Sequence, residues 1–588
     1  MSALAAVALA GAIGVPVALA TSEDPTGAPS ATTSSEPSDS TSGSRSGSTS
    51  GKAAVATADR PVTHAENDRV PEGAAWTQHY FPSSDGSDVE LHADVLLPEG
   101  LGQGERVPVI LSAGSYFGHS GEISEEGHEH TGPSDRFGDL VEGLDLFDRG
   151  YALVLVDTRG YGGSTGCLDF AGPGEQADVA AAIDWAADQS WSTGAVGMYG
   201  KSYDAVTGLI GNNLDQDALK AVVAQEPIWD MYDRIRSHGV PRQEGIIAPS
   251  TYNTIAQLPQ LPDDDERYVE NARYELAHPE CAAANTVNNL KADPGTSYWQ
   301  DRDLAKHAKG SDTPLFVTQG FLEWNTRPEG MAEYLANHDG PQRGWLGPWD
   351  HVRGNDRTED GTLKMGRDGW FDEIGAFYDE HLKGTQPTTE YPAFSIQDNT
   401  GAWRAEDTWP TADRTARIAL GGGSYVDDGG PDEEQDGARS SFLTSSAPVA
   451  TDTRVVGTPR VALDVRGTGN VLVELHDVAP DGTAVPFVEQ AAVIDSGRVT
   501  LDLESTDWTL AAGHRLAVEI GSIQSGSWVD TPSGQTIRVR DARLELAVDD
   551  PAGDAPTEGG RAVWLDSYLA AFTAELAPGE PSFTLPTF

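Results

Sequence analysis

The chain has 588 residues, with 39 Lys or Arg against 92 Asp or Glu, a net charge of −53 at neutral pH. A length of this order holds about two to four domains and buries a large core. A field this negative repels phosphate and anionic lipid, which argues against nucleic acid and against polybasic membrane docking. Only eight of the basic residues are lysines. A Lys-poor, acid-rich surface suits high salt, and an ordinary well-solvated exterior accounts for it equally well.

Ala3 to Ala20 is an apolar run that ends in Ala18-Leu19-Ala20 and is followed at once by Thr-Ser-Glu-Asp. That pattern predicts a secretory signal over residues 1–20, although the usual basic start is missing and an uncleaved anchor stays open. Interruption by Gly11, Gly14 and Pro16 leaves it weakly hydrophobic for a permanent span. Thr21 to Ser50 holds eleven serines among Thr, Gly, Pro and Asp, so residues 21–69 are expected to be a disordered spacer. The expected protein is therefore exported and has no stable membrane partner once its signal is removed. Two cysteines, Cys167 and Cys281, fit that compartment, either as one disulfide or as two separate buried thiols.

From about residue 70 to 390, continuous apolar runs alternate with amphipathic stretches. The runs are Val107–Ala113, Ala152–Asp157, Ala195–Gly200, Leu219–Gln225 and Leu315–Gly320. The helical stretches are Leu140–Arg149, Glu175–Gln189 and Tyr203–Leu214. Runs without alternation belong to strands buried on both faces, and the rhythm predicts a doubly wound, mostly parallel α/β sheet. Residues 227–311 break the rhythm with a helical, Tyr- and Asp-rich insertion at the end of a strand, which predicts a lid.

Residues 391–588 read differently. Arg460–Arg466, Val471–Val478, Arg498–Leu503, Arg515–Ile520 and Ile537–Leu546 alternate as strands, and Pro480-Asp481-Gly482 signals a hairpin. Short strands at this spacing predict a C-terminal β-sandwich. The Gly- and acid-rich stretch Gly421–Ser440 is a linker or surface loop.

The chemistry centres on Val196-Gly197-Met198-Tyr199-Gly200-Lys201-Ser202-Tyr203-Asp204-Ala205. A buried strand runs into a serine and out into a helix, the setting of a nucleophile elbow, with Asp204 where the motif's last glycine would stand. A serine nucleophile needs a base, and the base needs an orienting acid. Glu323, after the strand Leu315–Gly320, and His351, after the short apolar run Trp345–Pro348, occur in the order this fold requires. Glu226 and Asp230 lead into the lid and are candidates to pair with a substrate ammonium. Trp229, Tyr232, Tyr298, Trp299 and Trp324 are candidate pocket walls whose default reading is core packing. Glu125-Glu126-Gly127-His128-Glu129-His130 is expected to be a solvated loop, with no metal site in the protein.

Several further motifs flank the elbow. They are Arg149-Gly150-Tyr151, Asp157-Thr158-Arg159-Gly160-Tyr161-Gly162-Gly163-Ser164-Thr165-Gly166, Gly174-Glu175, Gly347-Pro348-Trp349-Asp350-His351 and Phe377-Tyr378-Asp379-Glu380-His381-Leu382-Lys383-Gly384. With them the chain resembles the Xaa-Pro dipeptidyl-peptidase/cocaine-esterase family of serine hydrolases, from about Trp76 to at least Val548. The β-rich tail, with Val473 to Gly482, is similar to that family's jelly-roll domain.

The resemblance implies an α/β-hydrolase with a helical lid and a C-terminal jelly roll. It implies Ser202 as nucleophile, His351 as base and, in place of the family's usual aspartate, Glu323 as orienting acid. Tyr116 with the Tyr203 backbone N–H would form the oxyanion hole. It also implies dipeptidyl-peptidase activity after a penultimate proline, or else hydrolysis of small acyl or α-amino-acyl esters and amides, without metal or organic cofactor. A catalytically silent binding protein on the same scaffold is the third possibility. Glu323→Gln is expected to lower kcat by orders of magnitude while leaving the melting temperature nearly unchanged.

Overall fold

The computed structural model describes residues 67–122, 127–429, 440–523, 527–577 and 579–588. The expected signal, nearly all of the spacer, Glu125 and Glu126 of the Glu125–His130 loop and half of Gly421–Ser440 lie outside the described residues.

The apolar runs form the middle of one large sheet. β1 (Ala74–Pro82) and β2 (Glu90–Pro98) make an antiparallel hairpin, followed by β3 (Val107–Gly114), β4 (Ala152–Asp157), β5 (Ser192–Lys201) and β6 (Leu219–Gln225). β7 (Arg236–Ser237) and β8 (Val240–Pro241) are a short ribbon outside this sheet, which resumes with β9 (Leu315–Gly320), β10 (Gln342–Gly347), β11 (Phe394–Gln397) and β12 (Trp403–Glu406). The spatial order is β1-β2-β4-β3-β5-β6-β9-β10-β11-β12, parallel from β4 to β11.

Each central strand is buried on both sides, as its unbroken apolar run requires. Ile110, Leu153, Leu155 and Val223 pack with α1 (Gly138–Leu144) on one face. Val109, Leu111, Val154 and Val156 pack with α2 (Pro173–Asp188) and α3 (Tyr203–Leu214) on the other. The period-two alternation of a strand thus feeds two separate cores.

The insertion after β6 is helical, as expected. It comprises α4 (Met231–Ile235), α5 (Gln243–Ile255), α6 (Glu266–Asn271), α7 (Tyr274–Ala277), α8 (Glu280–Asn289), α9 (Ser297–Gln300) and α10 (Leu304–His307), with the β7–β8 ribbon between α4 and α5. A disulfide joins Cys281 on α8 to Cys167 after β4, with their Cα atoms 5.2 Å apart. α11 (Met331–Asn337) follows β9 and joins the α2/α3 layer through Met331 and Leu335, and α12 (Trp370–Lys383) joins the α1 layer through Trp370, Ile374 and Phe377.

The remaining strands make two packed sheets. β13 (Arg414–Val426), β14 (Ser441–Ser445), β15 (Thr453–Arg466), β16 (Gly469–Val478), β17 (Thr483–Ile494), β18 (Gly497–Asp502), β19 (Thr506–Leu510), β20 (Arg515–Gly521) and β21 (Thr536–Asp549) are all present. One sheet runs β13-β21-β15-β18 with β19 against β15, and the other begins β14-β20-β16-β17. Val461, Leu463, Val473, Leu475, Val518 and Leu544 fill the space between them. Gly482, at φ 92°, turns the hairpin between β16 and β17 that Pro480-Asp481-Gly482 predicts.

Two features depart from the sequence reading. β11 and β12 extend the hydrolase sheet past residue 390, and β22 (Ala555–Pro556) adds to its edge, so the expected boundary at 390/391 cuts through this sheet. The strands are too short to show a period. The C-terminal part also carries a helix, α13 (Val563–Phe572), whose Tyr568 hydroxyl donates to the Pro486 carbonyl, and the chain then adds β23 (Ala574–Glu575) beside β17. No described helix is long and apolar enough to cross a membrane.

Candidate active site

β5 ends at Lys201 and α3 begins at Tyr203, leaving Ser202 between them at φ 65°, ψ −122°. A left-handed serine costs about 1–3 kcal/mol, and such strain recurs where a tight strand-to-helix turn lifts a nucleophile above a sheet. The turn is held by the Ser202 N–H, which donates to the Gln225 carbonyl on β6 at 2.9 Å. It is crowded: a Cβ on Gly200 would lie 2.2 Å from the Asp204 carbonyl oxygen.

Asp204 occupies the position of the motif's last glycine, and the room for it comes from across the turn. A Cβ on Gly114, at the end of β3, would lie 1.9 Å from Asp204 Oδ1. Burial pushes the Asp204 carboxyl up to about 6, against the pull of the Arg136 guanidinium paired with it. Arg136 also donates to Glu122 Oε1 at 2.7 Å and to the Lys201 carbonyl at 3.2 Å.

The first turn of α3 leaves its leading amides without intrahelical partners. The Ala205 and Val206 N–H groups return to the Ser202 carbonyl, so the Tyr203 N–H is the one nearest the serine that is not used in this way. The Tyr203 side chain points elsewhere: it is buried and donates to Glu175 Oε2 at 2.6 Å. Tyr116, after β3, lies with its ring 4.1 Å beneath the Arg136 guanidinium, and its hydroxyl is 2.7 Å from that of Tyr252 on the lid helix α5.

Glu323 and His351 sit on the loops after β9 and β10, at the same end of the sheet as Ser202, and the structure brings them together. His351 Nδ1 lies 3.2 Å from Glu323 Oε1, close enough for an ion pair but too poorly aligned to count as a hydrogen bond. Catalytic pairs are often this loose before substrate binds. Glu323 is otherwise saturated. Oε1 accepts from the Asn325 N–H at 2.7 Å, and Oε2 accepts from the Thr326 N–H at 2.6 Å, the Thr326 hydroxyl at 2.7 Å and the Arg327 N–H at 2.6 Å. Burial alone would raise its carboxyl, but His351 and these donors hold it down at about 2. His351 is pushed down to about 4 by burial and by Lys201, with a further push from Arg234, and the pull of Glu323 does not offset them. Burial and the nearby Arg353 and Arg136 in turn lower the Lys201 ammonium to about 8.

The residues expected to meet substrate are placed differently. Glu226 is fully buried and accepts from the Gly320 N–H at 2.9 Å and from Trp349 Nε1 at 2.9 Å, which ties β6 to the loops after β9 and β10. Asp230 caps α4 by accepting from the Tyr232 N–H at 2.7 Å, and burial with Asp233 and Asp303 nearby pushes its carboxyl up. Trp229 is fully buried and donates to Gln319 Oε1 at 2.8 Å. Trp324 turns outward against Phe572 of α13, their ring centres 5.1 Å apart. Tyr232 and Trp299 are internal to the lid, bonded to the Ala292 and Lys291 carbonyls, and Tyr298 bonds Asn289 Oδ1. The strand that precedes Glu226 is buried to its end, and the first acids of the insertion are used to brace and cap it.

Four side chains that converge here carry no sequence signal. Arg136 pairs with Asp204, Arg234 bonds Asn325 beside Glu323, Glu244 stands 4.0 Å from Arg234 and Tyr252 bonds Tyr116, all partners that only the fold supplies. Three clusters among the described residues hold metal-ligating atoms within 4.8 Å of one another: His92/Asp94/His119, Glu474/His476/Glu519 and Glu406/Asp549/Asp554. None is on the loops that carry Ser202, Glu323 and His351. In the first, His92 Nδ1 and His119 Nδ1 are engaged by Asp157 and Asp264 at 2.8 and 2.7 Å.

The family profile described as X-Pro dipeptidyl-peptidase (S15 family) matches residues 85–353, and the one described as X-Pro dipeptidyl-peptidase C-terminal non-catalytic domain matches residues 387–545. The chain belongs to the Xaa-Pro dipeptidyl-peptidase/cocaine-esterase family. Its fold and family are those of serine hydrolases. A candidate Xaa-Pro dipeptidyl-peptidase of Streptomyces avermitilis is 26% identical over 461 residues, 68% of this chain and 63% of that protein, so the match spans less than two thirds of the relative's length. The cocaine esterase of a Rhodococcus species is 24% identical over 64% of this chain and 81% of its own. Among solved structures, an α-amino acid ester hydrolase superposes with a TM-score of 0.60 at 18% identity, covering 80% of this chain and 96% of that one, which is a likeness of fold.

Proposed function

We propose that the protein is a serine hydrolase of small ester or amide substrates that works through an acyl-enzyme on Ser202. The observation that carries this is the strained Ser202 turn between β5 and α3, with His351 held beside Glu323 at the same end of the sheet. His351 takes the proton from Ser202 Oγ as Oγ bonds to the substrate carbonyl carbon. The carbonyl oxygen becomes an oxyanion that accepts from the Tyr203 N–H and the Tyr116 hydroxyl, donors worth about 3–4 kcal/mol each when aimed at the tetrahedral oxygen. The protonated His351 then gives its proton to the departing oxygen or nitrogen as the carbonyl reforms. Water repeats the sequence and releases the acid. Glu323 fixes the ring through Nδ1 and stabilises its transient charge. No metal or organic cofactor enters these steps.

Release of Xaa-Pro dipeptides is the second reading. It needs a carboxylate for the substrate ammonium, and Glu226 and Asp230 are engaged within the protein. Glu244 on α5, partly exposed and 4.0 Å from Arg234, is the acid that keeps this reading open. Export remains part of the proposal, supported by the apolar run ending at Ala20 and by the disulfide. A mature chain starting at Met1 would overturn it.

The mechanism is tested by a fluorophosphonate probe followed by peptide mapping. The expected adduct is on Ser202 and is absent from Ser202→Ala. Folded wild-type protein that takes no label would point to a silent binding protein instead.

A further inference from the structure

Three arginines meet where the lid, the loop after β9 and the sandwich come together, and two of them are matched by carboxylates. Arg327 pairs with Glu504 and has Glu489 at 3.8 Å. Arg242 pairs with Glu329 and lies 4.4 Å over the Trp528 ring. Arg234, on α4, is left over. Its Nη2 donates to Asn325 Oδ1 at 2.9 Å, and the one carboxylate within reach among the described residues, Glu244, stands at 4.0 Å, too far to accept a hydrogen bond. Its Nη1 is buried and has no hydrogen-bond partner among the described residues; Arg242 Nη1 and Arg327 Nε share that condition, but each of those guanidinia has a carboxylate in direct contact and Arg234 does not.

Position gives this leftover cation its meaning. Asn325, which accepts from Arg234, donates its own N–H to Glu323 Oε1 at 2.7 Å, and Glu244 at 4.0 Å sets the guanidinium against α5, the helix whose Tyr252 hydroxyl bonds that of Tyr116. The guanidinium therefore borders the ground between the expected base and the expected oxyanion donor, where the acyl group on Ser202 has to lie. A buried guanidinium N–H without an acceptor is costly, and a carboxylate is the acceptor whose two oxygens match the guanidinium fork. In a chain of net charge −53, an anion reaches this site only if a local cation offsets the overall repulsion.

We propose that Arg234 is an anion subsite of the acyl pocket, so that the enzyme takes ester or amide substrates whose acyl group carries a carboxylate. This rests on the serine-hydrolase reading above and narrows its substrate class. Glu244 then limits the subsite on one side and Asn325 holds the guanidinium in place.

The test is kcat/KM for the mono-p-nitrophenyl esters of glutarate and adipate, each beside its methyl ester, with the Ser202→Ala rate subtracted. The wild type is expected to prefer at least one free acid over its methyl ester by about tenfold to a hundredfold. That ratio should collapse in Arg234→Met and return in part in Arg234→Lys. Ser202-dependent turnover of the methyl esters without any preference for the free acids would overturn this inference and leave the hydrolase reading standing. A preference that survives Arg234→Met would overturn it as well. If no ester is consumed through Ser202, both readings fall together.

Discussion

The Arg136 guanidinium lies 4.1 Å over the Tyr116 ring while the same side chain pairs with Asp204 on the first turn of α3. One residue thus joins the loop that carries the expected oxyanion donor to the helix that follows the expected nucleophile. It takes up the carboxylate that stands where the elbow's last glycine would be.

This arrangement makes Arg136 a positioning residue. Arg136→Met should lower kcat by about tenfold or more with a much smaller change in KM, because a donor displaced by an ångström loses most of its effect. It should also destabilise by about 3–5 kcal/mol, since Asp204 would be left buried without its partner. Arg136→Lys should recover stability better than kcat, because an ammonium supplies charge without the planar face that stacks on Tyr116. Steady-state kinetics beside thermal melts would separate the two effects, and equal recovery of both would argue for a purely structural role.

Glu323 accepts four hydrogen bonds from its own loop, which changes what its substitution should do. The sequence alone suggests that Glu323→Gln leaves the melting temperature nearly unchanged. In the structure an amide would turn an N–H₂ against donors, and each charge-assisted bond weakened is worth about 1.5–3 kcal/mol. The expected outcome is a melting temperature lower by several degrees together with a kcat lower by orders of magnitude. An unaltered kcat in folded Glu323→Gln would reassign the orienting acid.

The depressed His351 sets the pH behaviour. Its folded value of about 4 lies below the ordinary 6.5, so the base is already neutral at mildly acidic pH. The acidic limb of kcat/KM should therefore fall nearer pH 4 than pH 6.5. Stability should follow the same direction. Between about pH 6.5 and 4 the unfolded histidine takes up a proton that the folded one refuses, so His351 withdraws stability as pH falls through that window. Glu323 contributes stability that is complete above its ordinary 4.5 and is lost as pH falls towards about 2. A pH–rate profile with parallel thermal melts checks both signs, and an acid limb centred near 6.5 would contradict the first.

The disulfide closes a loop with a sequence separation of 114 between the β4 loop and the lid. Reduction, or Cys281→Ser, should cost about 4–5 kcal/mol by the chain-entropy model. The lid should become more susceptible to proteolysis than the sandwich, because the bond holds α8 alone. Native protein that reacts with thiol reagents without reduction would show that the bridge does not form.

How much of this was legible in the sequence follows from where the signals come from. The five central strands were readable because burial on both faces leaves unbroken apolar runs such as Val107–Ala113 and Ala152–Asp157. β11 and β12, four residues each, hold no period long enough to read, so the sheet's continuation past residue 390 was missed. The strand–turn–helix around Ser202 was legible because such a turn constrains its neighbours, and the approach of His351 to Glu323 because chain order and strand ends constrain where their loops lie. Glu226 misled because an acid at a strand end looks available. Its partners, Gly320 and Trp349, lie 94 and 123 residues further on. Arg234 and Arg136 were invisible for the same reason: what gives them meaning is a partner that only the fold supplies.

The measurement that bears most directly on the account is kcat/KM for p-nitrophenyl butyrate beside Ala-Pro-p-nitroanilide, on wild type and Ser202→Ala. The account predicts ester turnover that disappears in Ser202→Ala and exceeds turnover of the dipeptide anilide. Strong Ser202-dependent cleavage of the anilide over the ester would contradict it and make the dipeptidyl-peptidase reading, with Glu244 at the substrate ammonium, the one to pursue.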